Sequence, residues 1–302
     1  MSDNTAPNGI VLVDKPQGWT SFDVCAKMRS LLKTKKIGHA GTLDPMATGV
    51  MTVLVGGATK AADILPISDK RYLADFRLGI ETDTLDITGT VVSEKEFSVK
   101  REELISVLER FRGEIMHLPP MYSAVHKDGK RLYELARQGI EVEREARKIN
   151  ILSLELVSFD ENTGEGQIDV LCSKGTYIRS LVSDIGSALG CGAVMTALRR
   201  TDACGFSIGE THTMEQLCTC AQENTIFEHI ISVDRAFEVY GSVNITPAQE
   251  NRYKNGGDLM AERLKLNCES AEEGKIFRVY GTEFIGLGII KDGSLRHYKR
   301  LT

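Results

Sequence analysis

The stretch KRYLADFRLG, residues 70–79, alternates apolar and polar side chains with the two-residue period of a β-strand. One face of this strand would hold Tyr72, Ala74, Phe76 and Leu78. The run VMTVLVGG, residues 50–57, is continuously apolar up to its glycines, which predicts a fully buried strand. A third strand is predicted in NILSLELVSF, with one face formed by Leu152, Leu154 and Leu156.

Helical patterns lie between these strands without a regular β-α-β repeat. Thr20 and Asp23 fit a capping box at the start of a helix, whose apolar stripe would be Phe22, Cys25, Ala26 and Leu32. Residues 98–113 predict an amphipathic helix that ends at Gly113. A third helix, in TYIRSLVSDIGSALG, would turn inward Ile178, Leu181, Val182, Ile185 and Leu189. This irregular order favours an α+β fold on a mixed, largely antiparallel sheet.

The chain changes character after about residue 235, where short apolar segments alternate with glycine turns and the last segment is basic. We therefore predict two domains in this 302-residue chain. Residues 9–235 would form the α+β domain, and residues 236–302 a small β-rich domain. A domain of about 65 residues has little core of its own, so we expect it to pack against the first.

Composition restricts both the cellular compartment and the kinds of site that this chain can form. No run of about 18 apolar residues is present, and the polar N-terminus lacks the apolar core of a signal peptide. The seven scattered cysteines form no Cys-x-x-Cys pair, and the six histidines lack ligand spacing. We expect a cytoplasmic protein without a disulfide framework or a metal. The absence of a heptad or a long apolar stripe predicts a monomer.

Two basic stretches stand out against a net charge of −5. The first holds Lys33, Lys35 and Lys36, and the second holds Lys127, Lys130, Arg131, Arg137, Arg144, Arg147 and Lys148. A local basic cleft can bind RNA on an acidic protein. For either stretch alone, a solvated face is an equally good interpretation.

The loop GHAGTLDPMATG, residues 38–49, carries one carboxylate between rigid and permissive residues. Gly38 and Gly41 allow tight backbone paths, and Pro45 restricts Asp44 to extended geometry. Such a loop can hold a carboxylate at one angle toward a cleft. From spacing alone, an aspartate that only caps a turn is the more common case.

Several ordered motifs together resemble the TruB-type tRNA pseudouridine synthases. They are KPQGWTSFDV, GHAGTLDPMATGV, ATKAADIL, DKRYLADFRLG, TDT, PPMYSAVHKDGKRLYELARQG, CSKGTYIRSLVSDIG and GCGAVMTALRR. The resemblance covers roughly residues 9–235, and the C-terminal segment looks like a PUA-type RNA-binding module. It implies isomerisation of a uridine to pseudouridine in the tRNA T-loop, at position 55 of standard tRNA numbering. It implies no cofactor and no metal.

The resemblance also implies roles for individual residues. Asp44 would be the nucleophile, with Arg179 beside it to favour the ionised carboxylate. Tyr72 would stack on the target base and accept or relay the C5 proton, although alternation alone makes it a core residue. The uracil pocket would be lined by Tyr177 and Leu198, of which Leu198 by periodicity is simply a core leucine.

The remaining implied residues concern RNA binding. His39 would fill the gap left when the uridine flips out of its stack. Lys15 and Lys60 match lysines of the DKP and ATK motifs, and are read as structural or as neighbours of phosphate. The two basic stretches would contact tRNA phosphates, which positions the RNA without reading its sequence.

Two other functions remain open at this point. The chain could be an RNA-binding protein that remodels the tRNA elbow, but the retained carboxylate argues against pure binding because it would repel phosphates. It could also be a guide-RNA-dependent synthase, a type that carries partner-binding extensions at both termini. Since the first motif starts near residue 10 and the chain ends just after the PUA-like segment, we expect a stand-alone enzyme that needs no protein partner.

Overall fold

The structure is a computed structural model that describes residues 7–123, 126–127, 129–136, 138–140, 142–264 and 272–301. Arg137 of the second basic stretch and Cys268 lie outside these residues. The strands are β1 (Gly9–Lys15), β2 (Ile37–Ala40), β3 (Thr48–Val55), β4 (Lys70–Leu78), β5 (Ile80–Thr82), β6 (Val91–Glu94), β7 (Gly113–His117), β8 (His126–Lys127), β9 (Lys130–Arg131), β10 (Arg147–Phe159), β11 (Glu165–Cys172), β12 (Ala193–Ala203), β13 (Phe206–Ser207), β14 (His212–Thr213), β15 (Gly241–Asn244), β16 (Leu259–Met260), β17 (Ile276–Tyr280), β18 (Phe284–Lys291) and β19 (Ser294–Arg300).

The α-helices are α1 (Ser21–Leu31), α2 (Arg101–Glu109), α3 (Leu132–Ala136), α4 (Ile178–Ala188), α5 (Met214–Gln222) and α6 (Pro247–Lys254). Short 3-10 helices cover Gly56–Ala61, Ile208–Glu210, Ile226–His229, Val233–Phe237 and Ala261–Leu264. Within the described residues, no helix is long and apolar enough to cross a membrane. Thr20 and Asp23 form the predicted capping box at the start of α1.

The described strands of the first 213 residues include one large mixed sheet, ordered β14-β1-β3-β12-β4-β11-β10-β7, with β2 added on β3 and β13 on β12. Two of its pairs are parallel, β1 with β14 and β3 with β12, and the others are antiparallel. The predicted α+β class with a mixed, largely antiparallel sheet is therefore confirmed. The parallel β3–β12 pair places the end of the loop that carries Asp44 beside the strand that carries Leu198.

Helices α2 and α4 pack on the face of the sheet that β4 fills with apolar side chains. That cluster contains the predicted row Tyr72, Ala74, Phe76 and Leu78, all less than 9% exposed. Helix α4 adds Ile178, Leu181, Val182 and Ile185 to the same cluster, with Leu189 packed against it. Strand β3 is buried as the apolar run predicted.

Three local predictions were wrong. A register shift between Ile151 and Ser153 inserts a bulge into β10, so Leu152 is 49% exposed and does not share a face with buried Leu154. On α1 the buried side is formed by Val24, Cys25 and Met28, and both Phe22 and Ala26 are exposed. Helix α2 ends at Glu109 rather than at Gly113, which has a φ of +83° and starts β7.

The C-terminal residues form a separate five-stranded sheet, ordered β15-β17-β18-β19-β16. It packs against the large sheet, as its small size suggested. Leu287 of β18 and Leu301 share one apolar cluster with Ile10 and Leu12 of β1. Asn8 Nδ2 also donates to the Leu301 carbonyl, at 3.1 Å.

Candidate active site

The loop that carries Asp44 connects β2 to β3 and is fixed from both sides. Gly41 has a φ of +83°, a left-handed conformation that favours glycine. Ser21 at the start of α1 holds Leu43 twice: its hydroxyl accepts from the Leu43 amide at 2.9 Å and donates to the Leu43 carbonyl at 3.2 Å. The Gly18 amide donates to the Pro45 carbonyl at 2.8 Å. Gly18 and Ser21 belong to the quoted motif KPQGWTSFDV, which therefore packs directly against the Asp44 loop.

Lys15 stabilises the contact between the Asp44 loop and the segment that precedes α1. Its side chain is fully buried, and Nζ donates to the carbonyls of Trp19 at 2.6 Å, Pro16 at 2.9 Å and Pro45 at 3.3 Å. Burial is the main cause that lowers the pKa of Lys15 to about 8, and the nearby Asp44 carboxylate opposes it. A substrate phosphate cannot reach a fully buried amine in this structure. Of the two interpretations of Lys15, a structural residue or a neighbour of phosphate, these contacts favour the first.

Replacing Lys15 by Met should lower the free energy of unfolding by about 3 kcal/mol, because buried carbonyls would lose their donor. We expect a lower rate of catalysis as well, since the Pro45 carbonyl is one residue from Asp44. Thermal unfolding of the variant measures the first effect. Lys27→Met is the control, because Lys27 is exposed on α1; equal unfolding temperatures for both variants would contradict the structural role.

Asp44 and Arg179 form the central contact of the site. Arg179 Nε lies 2.9 Å from Asp44 Oδ2. The arginine side chain is 5% exposed, whereas that of Asp44 is 38% exposed. The carboxylate therefore has an arginine on its protein side and an open side toward solvent, which a substrate could approach. Arg179 was predicted in the first turn of its helix, and it lies there, in α4.

The rest of the Arg179 guanidinium is held by the protein. Nη1 donates to the Thr84 carbonyl at 3.0 Å, and Nη2 donates to the Tyr122 carbonyl at 2.8 Å. A second carboxylate, that of buried Asp86, has Oδ2 3.6 Å from Nη1. With these contacts the arginine has one orientation, in which Nε faces Asp44.

Asp86 was missed at the sequence level, although it lies two residues beyond the quoted TDT motif. Its Oδ1 accepts from the Thr84 hydroxyl at 2.9 Å and from the Thr88 amide at 3.0 Å. These bonds fix the carboxylate on a tight turn in which Leu85 has a φ of +64°. Asp86 is connected to the site through Arg179, which is far away in the chain.

The electrostatics of Asp44 result from opposed effects. Burial raises the pKa of Asp44 above its usual range and is the largest cause. The Arg179 guanidinium lowers the pKa, the Asp86 carboxylate raises it, and Lys15 lowers it. Arg179 is therefore the main group that favours the ionised carboxylate, which is the form needed for nucleophilic attack.

Tyr72 and Leu198 lie on adjacent strands beside this pair. Leu198 of β12 is opposite Ala74 in register, and both Tyr72 and Leu198 belong to the cluster that also holds Leu43 of the loop. Tyr72 is 6% exposed, and burial is the main cause that raises its pKa. The Arg200 charge opposes this increase, and the Asp44 carboxylate adds to it.

Tyr177 precedes the first residue of α4 and is held by a histidine that sequence reasoning missed. Its amide donates to Nε2 of buried His117 at 3.0 Å, and the two rings stack with centroids 6.3 Å apart. The Arg147 guanidinium carbon lies 5.1 Å from the centre of the Tyr177 ring. Burial and the Arg147 charge lower the pKa of His117 to about 4, so the imidazole is neutral and can accept.

The pKa of His117 predicts a specific pH dependence of stability. It is about 4 in the folded protein against an ordinary 6.5, so between these values the unfolded chain binds more protons. The free energy of unfolding should therefore fall as the pH decreases from 6.5 toward 4. His117→Gln keeps an acceptor for the Tyr177 amide without this titration. Denaturant unfolding of both proteins across that window should show a steeper fall for the wild type; parallel curves would contradict the assignment.

His39 and Lys60 lie on neighbouring segments at the start of the loop. His39 is half-buried on β2, and burial together with the Arg200 charge lowers its pKa. Lys60 is exposed on the 3-10 helix Gly56–Ala61. A side-chain carbon at Gly38 would lie 3.7 Å from Thr59, so the two segments are in contact. In the part of the chain that the structure describes, no cluster of three or more His, Cys, Asp or Glu could hold a metal ion.

Two family models match most of this chain. The model of the TruB family pseudouridylate synthase N-terminal domain matches residues 29–178, and that of the tRNA pseudouridylate synthase B C-terminal domain matches residues 179–238. A relative from Clostridium kluyveri described as tRNA pseudouridine synthase B is 42% identical over 97% of this chain and 99% of its own length. One of the same description from Chromobacterium violaceum is 43% identical over 97% and 94%.

Solved structures show the same fold. A Cbf5-Nop10-Gar1 complex contains a chain with a TM-score of 0.73 and 25% identity, over 100% of this chain and 91% of that one. A chain of an H/ACA RNP bound to a substrate RNA containing 2'-deoxyuridine has a TM-score of 0.71 and 23% identity, over 97% and 85%. The two family models and the relatives that are 42–43% identical over nearly the whole chain show that it belongs to the TruB family of pseudouridylate synthases.

Proposed function

We propose that this pseudouridylate synthase isomerises the T-loop uridine of tRNA, at position 55, to pseudouridine, with Asp44 as the nucleophile. The observation that carries the proposal is the half-exposed Asp44 carboxylate with the Arg179 Nε at 2.9 Å. A carboxylate exposed on one side and bound to a buried arginine on the other is arranged for attack rather than for turn capping. The bacterial relatives described as tRNA pseudouridine synthase B support tRNA as the substrate class.

The chemistry requires cleavage of the N1–C1′ bond, rotation of the uracil and formation of a C5–C1′ bond. Asp44 assists the first step by attack on C1′ or on C6 of the base, or by assisting loss of the base; the three routes share the ionised carboxylate. After the new bond forms, the proton on C5 leaves, its electron pair restores the C5–C6 double bond, and N1 takes up a proton from solvent. Tyr72, which packs in one apolar cluster with Leu43 of the Asp44 loop, accepts or relays that proton.

Access to the uridine requires base flipping. Extruding a base from its stack costs a few kcal/mol, and an inserted side chain offsets part of this cost. His39 fills the gap, which suits its half-buried place on β2 beside the loop and a pKa lowered by burial, since a neutral ring stacks without a charge to solvate. The flipped uracil lies between Tyr72 and a wall formed by Tyr177 and Leu198.

Exposed lysines near the active site bind the RNA backbone. Lys33, Lys35 and Lys36 are all exposed and directly precede β2, and Lys60 is exposed on the adjacent segment. The second basic stretch contributes less, because Lys148 pairs with Glu114 and Arg147 donates to the Gly175 carbonyl. The domain of residues 9–235 performs catalysis, and residues 236–302 form a PUA-like domain that adds RNA contacts. The enzyme acts as a monomer without a protein partner.

Release of tritium from C5 tests the proposal. T-arm transcripts would carry tritium at C5 of uridine 55 alone, or at C5 of a neighbouring loop uridine alone. We expect release to water only from the first transcript, at a rate proportional to enzyme. Equal release from both would contradict the position. Tight binding with no release from either would favour an RNA-remodelling protein, the second candidate function.

A further inference from the structure

Lys70 is a half-buried cation beside the active site, and within the described residues its amine has neither a hydrogen bond nor an ion pair. It is the first residue of β4, and because side chains alternate along a strand it projects to the same face as Tyr72. Its cross-strand neighbours, Cys172 and Ala203, are each 1% exposed and bring no carboxylate. By contrast, the buried amine of Lys15 donates to three carbonyls. A cation partly withdrawn from water without such partners is costly to keep.

Arg200 adds a second positive charge at the same place. It is fully buried on β12, and its guanidinium donates to the carbonyls of Val50 at 2.7 Å, Gly41 at 3.1 Å and Thr42 at 3.4 Å. One guanidinium therefore connects both ends of the catalytic loop. A side-chain carbon at Gly41 would lie 3.4 Å from Arg200 Nη1, 3.1 Å from Lys70 Cε and 3.7 Å from Lys70 Nζ. The two cations are thus neighbours beside the loop, and no carboxylate of the described ranges forms an ion pair with either.

The anion that these charges attract can come from the substrate itself. The flipped uracil is proposed to lie against Tyr72, and the backbone of Lys70 is about 7 Å further along the same strand. In a nucleotide the ribose separates the base from its phosphates, so a base held at Tyr72 brings a backbone phosphate toward Lys70. The phosphodiester is the negatively charged group of RNA, and a lysine binds it as a point charge. Burial and the Arg200 charge lower the pKa of Lys70, and a bound phosphate would oppose both effects.

We propose that Lys70 binds a backbone phosphate that flanks the target uridine, and so holds the flipped nucleotide with its base against Tyr72 and its C1′ toward Asp44. Arg200 strengthens this contact through its charge from the buried side, and Gly41 leaves the space that the lysine side chain occupies. The phosphate reaches this position only when the uridine leaves its stack, so the contact favours the flipped state over the stacked one. This inference rests on the proposed function, because it requires the uridine in this pocket.

Neutral phosphates test the contact. T-arm RNAs would carry one uncharged methylphosphonate, at the phosphate 5′ of uridine 55, at the phosphate 3′ of it or in the distant stem, each matched to an RNA that differs only in that group. On the ordinary RNA, Lys70→Met should lower the single-turnover rate at subsaturating enzyme by roughly tenfold to a hundredfold. It should also reduce the slope of log affinity against log salt by about one. One flanking methylphosphonate should slow the wild type by a similar factor and Lys70→Met hardly at all. Equal losses for both proteins with every RNA would overturn the proposal, as would an unchanged rate of Lys70→Met.

Lys27→Met is the matched control, because it removes the same charge from an exposed position on α1 and should leave the rate with every RNA near that of the wild type. Lys70→Arg keeps the charge and should remain sensitive to the same methylphosphonate as the wild type. Thermal unfolding checks each variant; Lys70→Gln replaces Lys70→Met if the latter does not fold, and failure of both to fold would make Lys70 a structural residue and overturn the proposal. A wild type that releases no tritium from uridine 55 counts against the proposed function itself, whereas an active wild type with the negative results above counts against Lys70 alone.

Discussion

Replacing Asp44 by Asn should abolish measurable pseudouridine formation, with a fall of about four orders of magnitude or more in the single-turnover rate. The amide is not a nucleophile, and it cannot pair as an anion with the Arg179 Nε that lies 2.9 Å from Asp44. RNA binding should be retained or strengthened, because the substitution removes a negative charge from a cleft that receives phosphates. Tritium release from C5 and filter binding of the T-arm measure the two effects separately.

The matched control for Asp44→Asn is Asp63→Asn, since Asp63 is exposed and lies in the same half of the large domain. It loses the same charge, so its effect on binding estimates the contribution of net charge alone. We expect its rate to equal that of the wild type. An Asp44→Asn protein that keeps more than a small fraction of the rate would exclude Asp44 as the nucleophile.

Local features of this fold could be predicted from the sequence, because they depend on neighbouring residues. The capping box of Thr20 and Asp23 and the buried face of β4 depend on spacings of two or three residues. The bulge in β10 could not be predicted in this way. It depends on how β10 meets β11, and a single extra residue moves Leu152 to the solvent side.

The active site shows the same difference between features set by neighbouring residues and features set by distant ones. Asp44 and Arg179 were identified from motifs, which only implied that the two residues are neighbours. The structure shows the contact directly, with Arg179 Nε 2.9 Å from Asp44 Oδ2. Asp86 and His117 carried no pattern that distinguishes them from turn or strand residues, and Arg200 ends a quoted motif without a role of its own. Each acquires a role only through a partner distant in the chain: the bond from Tyr177 to His117 spans 60 residues, and that from Arg200 to Gly41 spans 159. Long-range contacts of this kind leave no periodicity in a single sequence.

Arg179 is the residue whose replacement should disturb the site most, because two carboxylates depend on its charge. Its side chain contacts Asp44 through Nε and Asp86 through Nη1, so one cation serves both acids. The Asp86 carboxylate is among the causes that raise the pKa of Asp44. Without the guanidinium, this effect and the burial of Asp44 act in the same direction.

Replacing Arg179 by Met should therefore lower the rate by about three orders of magnitude at neutral pH, and it should also change the pH profile. The rate requires ionised Asp44, whose pKa in the folded protein is already raised by burial. Loss of Arg179 raises that pKa further, so the acidic limb of the rate should move to higher pH, and part of the activity should return as the pH increases. Tritium release measured across a pH series checks this, and an acidic limb at the wild-type position would contradict the electrostatic role.

Stability has to be separated from catalysis in this experiment. Asp86 is buried, and removal of its cation can cost about 3–5 kcal/mol of folding free energy. Arg179→Lys keeps a charge near both acids but loses the second and third donors to the Thr84 and Tyr122 carbonyls. It should have an acidic limb close to that of the wild type and a reduced rate, because charge is retained and orientation is lost. Arg77→Met, on the exposed side of β4, controls for loss of a surface arginine and should leave both rate and profile unchanged.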